Sequence, residues 1–286
     1  MRGVSMRYLL YNPLSGNGNQ ARADAECYKT VANIPTTILA ITEIKDLRVF
    51  FEELDLCDDV ALFGGDGTLN KVANALSDYS FKNDIYYYPC GTGNDFARDI
   101  GAQYVREPII INDYIKELPT VTVKGETRKF INGVGFGIDG YCCEVGDQLK
   151  SQQKLPNYTS IAIKGLLFHF KPVNATVVVD GKKYDFKKVW IAPTMFGRYY
   201  GGGMMPTPKQ NRNERDKKVS LMVFHGSGKM ETLMIFPSIF KGEHVKHTKN
   251  ITILQGKNVT VTFDRPSPLQ IDGETGLEVS SYTVTA

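Results

Sequence analysis

The sequence predicts an N-terminal doubly wound α/β domain over 1–118 and a C-terminal antiparallel β-sandwich domain over 119–286. Three observations support this prediction. A buried strand, a glycine turn and a helix follow one another over 60–76. Strands alternate with helices up to about residue 118, which is typical of a parallel sheet. Short β-branched runs follow, with the hairpin signal Asp180-Gly181 between two of them.

The composition narrows the functional classes. Hydrophobic residues make up 42% and charged residues 23%, as in ordinary globular proteins. The net charge of +3 does not indicate a nucleic-acid partner, but it is compatible with an anionic membrane surface. No apolar run approaches the ~18–20 residues of a membrane-spanning helix, and residues 1–6 lack a signal-peptide core. Five cysteines without metal-ligand spacing predict free thiols in a reducing cytoplasm.

The first domain is predicted to alternate strands with helices. The predicted strands cover 8–11, 36–41, 60–63 and 85–88, and the predicted helices cover 21–31, 46–56 and 68–76. Ligands of such sheets bind beyond the carboxyl ends of the strands. The polar loops at 12–18, 64–67 and 89–98 are therefore expected to line one crevice.

Residues 64–67 read Gly-Gly-Asp-Gly, directly after a buried strand and before a helix. Glycines let backbone N–H groups approach a ligand closely, and the N-terminus of a helix favours an anion. Asp66 places a carboxylate where a phosphate is expected, which makes sense if a divalent cation accompanies the phosphate. The alternative is a tight turn with a capping aspartate.

Residues 91–95 read Gly-Thr-Gly-Asn-Asp after the next strand. Their hydroxyl, amide and carboxylate groups could hold phosphates, a metal or a polar substrate head. A turn of this kind is often purely structural, and its position beside 64–67 favours the functional interpretation.

The second domain is predicted to be rich in short strands. These cover 121–123, 129–134, 175–179, 184–192, 218–224, 251–254, 259–263 and 282–286, and two helices are predicted at 158–168 and 230–240. Lysines at 182, 183, 187 and 188 flank the predicted hairpin. They predict either weak electrostatic contact with a membrane or solubilising lysines at a sheet edge.

Asp272 and Glu274 flank Gly273 in the second domain. Asp-Gly is a common hairpin turn, yet phosphoryl transfer to an alcohol needs a carboxylate that accepts the hydroxyl proton. Glu274 is therefore the first candidate for the base, followed by Asp272 and then Asp66. Glu274 is expected to face Asp66 and the 91–95 loop.

Six motifs together resemble the diacylglycerol kinase catalytic-domain family, which includes bacterial lipid kinases and sphingosine kinases. They are NPLSGNG at 12–18, FGGDGTLNKVANAL at 63–76, YPCGTGNDFARDIG at 88–101, FINGVGFGIDG at 130–140, YYGGGM at 199–204 and LQIDGE at 269–274. Each motif is weak alone, but the six keep the order and spacing of the family across nearly the whole chain.

The resemblance implies an NAD kinase-like α/β domain, a C-terminal β-sandwich, a site in the cleft between them, and ATP and Mg²⁺ as cofactors. It implies a nucleotide site formed by Asn12, Ser15, Gly16, Thr42, Gly64, Gly65, Gly67, Thr68 and Thr92. Asp66 is implied to handle the catalytic magnesium or phosphate, with Asn94 and Asp95 contacting substrate or phosphate. The proton acceptor of bacterial relatives falls on Glu274, and that favoured in sphingosine-kinase-like members falls on Asp66.

One stretch departs from the family pattern. Relatives hold a structural magnesium ion after the Gly-Gly-Gly-Met motif, where this chain reads PTPKQNRNERDKKVSL. Asp216 could survive as one ligand, but the neighbouring cations oppose a bound metal ion.

The sequence therefore predicts an ATP-dependent kinase that phosphorylates a diacylglycerol-like lipid at the membrane surface, as a cytoplasmic, peripheral and possibly homodimeric protein without a nucleic-acid partner. The alternatives are a kinase for another lipid alcohol or a polyol, and a catalytically silent nucleotide- or lipid-binding regulator.

Overall fold

The computed structural model describes residues 5–15, 19–152, 154 and 158–286, apart from the side chains of Lys150 and Thr159. The chain forms two compact units, Met1–Leu118 and Pro119–Ala286. Each unit is described separately below.

The first unit contains a five-stranded sheet. Its strands are β1 (Arg7–Tyr11), β2 (Thr36–Ala40), β3 (Asp59–Gly64), β4 (Ile85–Pro89) and β5 (Ile109–Ile110), in the order β2-β1-β3-β4-β5. The pairs among β1 to β4 are parallel, and β5 is antiparallel to β4. The chain leaves β1 for β2 on one side and returns to β3 on the other. Strand order therefore reverses between β1 and β3, the place where ligands of doubly wound sheets bind.

Five helices connect or follow these strands: α1 (Gln20–Val31), α2 (Leu47–Glu52), α3 (Asp66–Ala75), α4 (Asp95–Asp99) and α5 (Asn112–Ile115). The prediction for α2 was too long, because the helix stops at Glu52 rather than residue 56. The carboxylate of Asp46 fixes its start by accepting the N–H groups of Arg48 and Val49.

A nearly buried ion pair ties the first strand to the centre of the sheet. Arg7 donates from Nε and Nη2 to the two carboxylate oxygens of Asp59, at 2.6 and 2.7 Å. The two side chains are only 12% and 15% exposed. The guanidinium also lies 4.1 Å from the ring centroid of Tyr86. Because Arg7 and Asp59 are register partners of β1 and β3, this pair stabilises the register on which the polar loops depend.

The second unit is an antiparallel β-sandwich, as the sequence predicts. Its strands are β6 (Thr120–Val123), β7 (Glu126–Lys129), β8 (Gly133–Gly137), β9 (Val173–Val179), β10 (Lys182–Val189), β11 (Ile191–Met195), β12 (Val219–Phe224), β13 (Ile251–Gly256), β14 (Asn258–Ile271) and β15 (Glu274–Thr285). The main path runs β13-β12-β11-β8-β14-β15-β6-β7, and β9 pairs with β14 and β10.

Three two-residue turns set the register of this sheet. Lys124-Gly125, Asp180-Gly181 and Asp272-Gly273 each place both residues at positive φ. This is the type I′ geometry that matches the twist of paired strands. The Asp180-Gly181 hairpin joins β9 to β10 and confirms the sequence signal.

Two predicted strands are each divided in the structure. The run predicted at 129–134 is split between β7 and β8, because Asp272 takes the backbone N–H groups of residues 131–133. The run predicted at 184–192 is split at Trp190, whose N–H donates to Phe224 O. At this point the chain leaves β9 and begins to pair with β8 and β12.

The helical segments of the second unit are α6 (Ile138–Ser151), α7 (Tyr158–Lys164), α8 (Lys229–Ile235), a π-helical turn at Gly165–His169 and 3₁₀ turns at Phe236–Lys241 and Glu243–Lys246. The sequence prediction missed α6, because Gly140 and Gly146 disfavour a helix. A Cβ at Gly140 would lie 2.0 Å from Pro268 O, so close packing requires glycine there. The helix predicted at 230–240 changes to 3₁₀ geometry at Phe236, next to Pro237, which lacks an N–H donor.

Among the described residues, no helix is both long enough and apolar enough to span a membrane.

We expect Arg7→Met to lower the free energy of unfolding by roughly 2–4 kcal/mol, because Asp59 would be left nearly buried without its cation. Arg22→Met is the matched control. Arg22 pairs with Glu26 within α1, and both side chains are more than half exposed, so its loss should lower the free energy of unfolding far less. Urea unfolding of both variants measures the difference. Equal losses would show that the Arg7–Asp59 pair contributes no more than a surface pair.

Candidate active site

The loops that follow β3 and β4 are in direct backbone contact. A Cβ added to Gly91 would lie 2.5 Å from the Cα of Gly65, and one added to Gly65 would lie 3.0 Å from the Cα of Gly91. Cys90 N–H donates to Gly64 O at 3.0 Å. The backbone of the two loops approaches too closely for a side chain at Gly91, and a side chain at Gly65 would fit only if its neighbour moved slightly.

The carboxylate of Asp66 joins the same two loops. Its oxygens accept the backbone N–H groups of Asp95 and Phe96, at 2.9 and 2.8 Å. Asp66 therefore satisfies donors at the start of α4 while it stands in the first turn of α3. The aspartate assigned to metal or phosphate also has a structural role. A carboxylate has about four lone-pair positions, so accepting backbone N–H groups does not by itself prevent it from binding a ligand.

Asn94 closes the loop after β4. Its Oδ1 accepts from Gly91 N–H at 2.9 Å, and its Nδ2 donates to Gly91 O at 2.8 Å. The residue has φ of 50°, a conformation that asparagine tolerates better than most residues. Asp95 follows as the first residue of α4 and is buried.

The loop after β1 is tied to the loop after β3. Ser15 Oγ accepts from Gly65 N–H at 2.9 Å, and Asn12 Nδ2 donates to Thr68 Oγ1 at 2.8 Å. A Cβ on Gly64 would lie 2.4 Å from that Thr68 oxygen. The polar loops expected to form one site are therefore joined by hydrogen bonds at the carboxyl ends of β1, β3 and β4.

The predicted nucleotide-binding residues divide by exposure. Thr42, Gly67 and Thr92 are exposed, whereas Ser15 and Thr68 are buried in the loop contacts. Gly16, which was also assigned to the nucleotide, lies outside the described residues. The exposed group can contact a ligand directly, and the buried group fixes the shape of the loops.

Asp272 braces a turn in the second unit. Its carboxylate accepts the backbone N–H groups of Ile131, Asn132 and Gly133 at 2.6, 2.8 and 3.0 Å, and its own N–H donates to Gly133 O. The carboxylate thus takes up three backbone N–H groups that are not bonded to a neighbouring strand. Asp272 is thus a poorer candidate for the base than the sequence alone suggests.

Glu274 begins β15 and faces solvent. Its Oε2 lies 2.5 Å from Arg128 Nη1, and the side chains of Arg128 and Glu274 are 37% and 60% exposed. Arg128 was not predicted as a site residue, because it is 146 residues away in the chain and becomes a neighbour only through the pairing of β6 with β7 and β15. The carboxylate of Glu274 is exposed and is paired with the side chain of Arg128.

Comparison with known families identifies both units. Residues 7–124 match the family described as "Diacylglycerol kinase catalytic domain". Residues 132–283, more than half of the chain, match the "YegS C-terminal NAD kinase beta sandwich-like domain". The chain belongs to the diacylglycerol kinase catalytic-domain family.

Relatives in this family carry kinase names. A diacylglycerol kinase of Bacillus subtilis (strain 168) is 26% identical over 281 residues, covering 94% of this chain and 89% of the relative. One from Mycobacterium tuberculosis (strain ATCC 25618 / H37Rv) is 25% identical, covering 83% and 79%. The crystal structure of a diacylglycerol kinase from Bacillus anthracis str. Sterne superposes with a TM-score of 0.60 at 18% identity, covering 100% and 95%. The names support a lipid kinase at family level, and the superposition shows the shared fold.

Asp216, the one ligand that the resemblance left for a structural magnesium ion, is held by two lysines. The two carboxylate oxygens of Asp216 lie 2.6 Å from Lys218 Nζ and 2.8 Å from Lys257 Nζ. These ammonium groups lower the pKa of Asp216 to about 2. Two cations already neutralise this single carboxylate, so the residues present do not fit a magnesium ion.

Asp139 is a buried carboxyl group to which the sequence prediction gave no role, although it lies in the motif at 130–140. Its Oδ1 accepts from Gly140 N–H at 2.9 Å, and its Oδ2 lies 3.3 Å from the Tyr200 hydroxyl, which donates to it. A Cβ at Gly135 would lie 2.2 Å from Oδ2, so glycine there makes room for the group. Burial raises the pKa of Asp139 to about 6, against the opposing effect of these hydrogen bonds.

This burial predicts a pH-dependent stability. Folding raises the pKa of Asp139 from 3.8 to about 6, so the folded state retains a proton that the unfolded chain releases. The contribution of Asp139 is fully present below about pH 4 and falls as the pH rises to about 6, by on the order of 3 kcal/mol.

Asp139→Asn should remove this dependence because the amide does not titrate. Urea unfolding of both proteins from pH 4 to pH 7 isolates the effect of Asp139 from other carboxylates, since their contributions cancel in the difference between the two curves. A difference that does not change with pH would contradict the assigned burial.

Proposed function

We propose that this protein is an ATP-dependent lipid kinase that transfers the γ-phosphoryl group to the hydroxyl of a diacylglycerol-like lipid at a membrane surface. The observation that carries the proposal is the contact between Gly65 and Gly91, locked by the Asp66 carboxylate. This contact brings together the glycine loops after β3 and β4 and the first turn of α3. They lie at the carboxyl ends of the parallel strands, beside the point where strand order reverses. Such an arrangement suits the phosphates of a nucleotide.

The polar groups at the carboxyl ends of β1, β3 and β4 fit ATP with Mg²⁺. Among the described residues, no cluster of three or more His, Cys, Asp or Glu could form an all-protein metal cage. Magnesium commonly binds instead through one or two carboxylates together with substrate phosphates and water. Asp66 would hold it, and the ion would neutralise charge on the transferred phosphoryl group. The exposed Thr42, Gly67 and Thr92 are the proposed nucleotide contacts.

We assign the proton acceptor to Glu274. An alcohol is a weak nucleophile at neutral pH, and a carboxylate that takes its proton assists attack on the γ-phosphorus. Asp66 and Asp272 use their oxygens to hold backbone N–H groups, whereas Glu274 is exposed and bound to the Arg128 side chain. Arg128 would orient Glu274 and release one oxygen as the alcohol approaches.

A silent nucleotide- or lipid-binding protein is the second candidate function. The hydrogen bonds of Asp66 and Asp272 favour it, because such motifs can persist for structural reasons alone. A kinase for another lipid alcohol or a polyol would use the same phosphate-binding edge.

Phosphate transfer from radiolabelled ATP distinguishes these functions. We expect Mg²⁺-dependent labelling of diacylglycerol above that of monoacylglycerol, ceramide, sphingosine and glycerol. Preferential labelling of one of the other acceptors would replace the substrate assignment. Nucleotide binding without transfer to any acceptor would favour the silent protein.

Glu274→Gln should lower kcat about 10²-fold or more, since the amide cannot accept the proton. The fold should be retained, because an ion pair this exposed contributes at most about 1 kcal/mol. Glu126→Gln, an exposed glutamate of β7, is the matched control and should keep the parental rate.

Asp272→Asn separates the structural role from the chemical one. It should lower the thermal unfolding temperature, because a neutral amide holds the N–H groups of residues 131–133 more weakly.

Unchanged kcat in Glu274→Gln, with a large loss in Asp66→Asn, would transfer the role of the base to Asp66.

A further inference from the structure

Two helical segments of the second unit expose large apolar side chains. One consists of α7 and the π-helical turn after it, and the other of α8 and the 3₁₀ turn after it. The exposed large apolar side chains on them are Tyr158, Ile163, Phe168, Met230, Met234 and Phe240, and the last five are here called the helical patch. Phe168 and Met234 are each 73% exposed, and Met230 is 69% exposed. Scattered exposed residues are ordinary, but a group on adjoining elements marks an interaction surface.

The two segments are neighbours in space. Lys229 Nζ donates to Leu167 O at 2.9 Å, so the next residues in sequence, Met230 and Phe168, lie at the same junction. Both segments also bury their inner side chains in one core cluster, which includes Leu166 and Ile235. The helical patch is therefore a second apolar face, distinct from the face that forms the core.

Lysines outnumber acidic residues in the two segments that carry the helical patch. Over 158–171 and 229–246 there are five lysines and two glutamates. The lysines are Lys164, Lys171, Lys229, Lys241 and Lys246, and all are exposed. Exposed aromatic and methionine side chains among lysines suit the boundary between anionic headgroups and acyl chains.

We propose that the helical patch docks this protein on an anionic bilayer, with its apolar side chains at the acyl boundary and its lysines on the lipid phosphates. The inference deepens the proposed function and rests on it, because a lipid kinase must reach a hydroxyl held at the bilayer surface. It gives the chain a defined contact face for that surface.

Charge argues against a second copy of the chain on this face. A two-fold interface sets the same patch against itself, so the lysines of one copy would meet those of the other. Lysine is also depleted in protein interfaces. An anionic bilayer complements the charge, whereas a homodimer opposes it.

The lysine hairpin at 182–188 is the weaker membrane candidate. Among the described strands, β10 pairs with β9 alone, and exposed lysines on an edge strand prevent pairing with other chains. Asp185 lies among these lysines, and none of the strongly exposed large apolar side chains lies on β10. The hairpin offers charge without an apolar anchor.

Vesicle sedimentation without ATP or diacylglycerol tests docking separately from catalysis. We expect the parent protein to bind vesicles of phosphatidylglycerol and phosphatidylcholine. The triple variant Phe168→Ser, Met230→Gln, Met234→Gln should bind at least about tenfold more weakly, because it loses three apolar anchors. The double variant Leu56→Ser, Tyr104→Ser, which changes exposed apolar residues of the first unit, should bind like the parent.

A second variant tests the charge component with little risk to the fold. Lys171→Gln with Lys241→Gln should weaken binding about tenfold and reduce its sensitivity to salt, whereas Lys182→Gln with Lys183→Gln should change neither. Absence of parental binding, or equal binding by the helical-patch variants and their controls, would overturn the proposal. A parental dimer that the triple variant converts to a monomer, measured by light scattering, would assign the patch to a second copy and also overturn it.

Activity separates this proposal from the proposed function. The triple variant should lose activity on diacylglycerol in vesicles and retain activity on a short-chain diacylglycerol dissolved as monomers. Equal loss on both substrates would overturn the docking role. Vesicle binding that depends on the patch, in a parent that phosphorylates no lipid, would reject the kinase and leave the docking surface standing.

Discussion

The first unit depends on one carboxylate, Asp66, that holds two backbone N–H groups of a neighbouring loop. The loops after β3 and β4 approach so closely that a Cβ on Gly91 would lie 2.5 Å from the Cα of Gly65. Close approach leaves backbone donors at the start of α4 that water cannot easily reach, and an unpaired buried donor costs about 1–3 kcal/mol. Asp66 removes this cost and fixes the distance between the two loops. Any ligand bound there meets a preformed surface.

The second unit uses the same physical solution. The chain leaves the strand ladder at residues 130–132, and the Asp272 carboxylate accepts the backbone N–H groups of residues 131–133 at this break. The turn at Asp272-Gly273, with both residues at positive φ, presents that carboxylate to the break and starts β15 at Glu274. The conformation of Asp272 therefore determines where Glu274 emerges. One aspartate shapes the turn, and the next carboxylate is left exposed.

The sequence predicted the α/β and β-sandwich classes well because their signals are local. Alternation of strands and helices, glycine turns and Asp-Gly hairpins are each visible within a few residues. The split at residues 130–132 and the pairing of Arg128 with Glu274 were not predictable, because their partners lie about 140 residues away and meet only in the folded sheet. Helix α6 was missed for a related reason. Its glycines allow close packing against Pro268 and Tyr158, whereas glycine in a sequence predicts the end of a helix.

The hydrogen bonds of Asp66 and Asp272 limit what can be concluded about catalysis from an intact motif. Asp66 and Asp272 would be retained in a protein with no catalytic activity, because each satisfies backbone donors that the fold leaves unpaired. Their presence therefore supports the fold more strongly than the chemistry. Glu274 differs, because it contacts no backbone donor among the described hydrogen bonds and its exposed ion pair contributes little to stability. A carboxylate that the fold does not need is better explained by a chemical role, and Glu274 is accordingly the residue on which the assignment of catalysis depends.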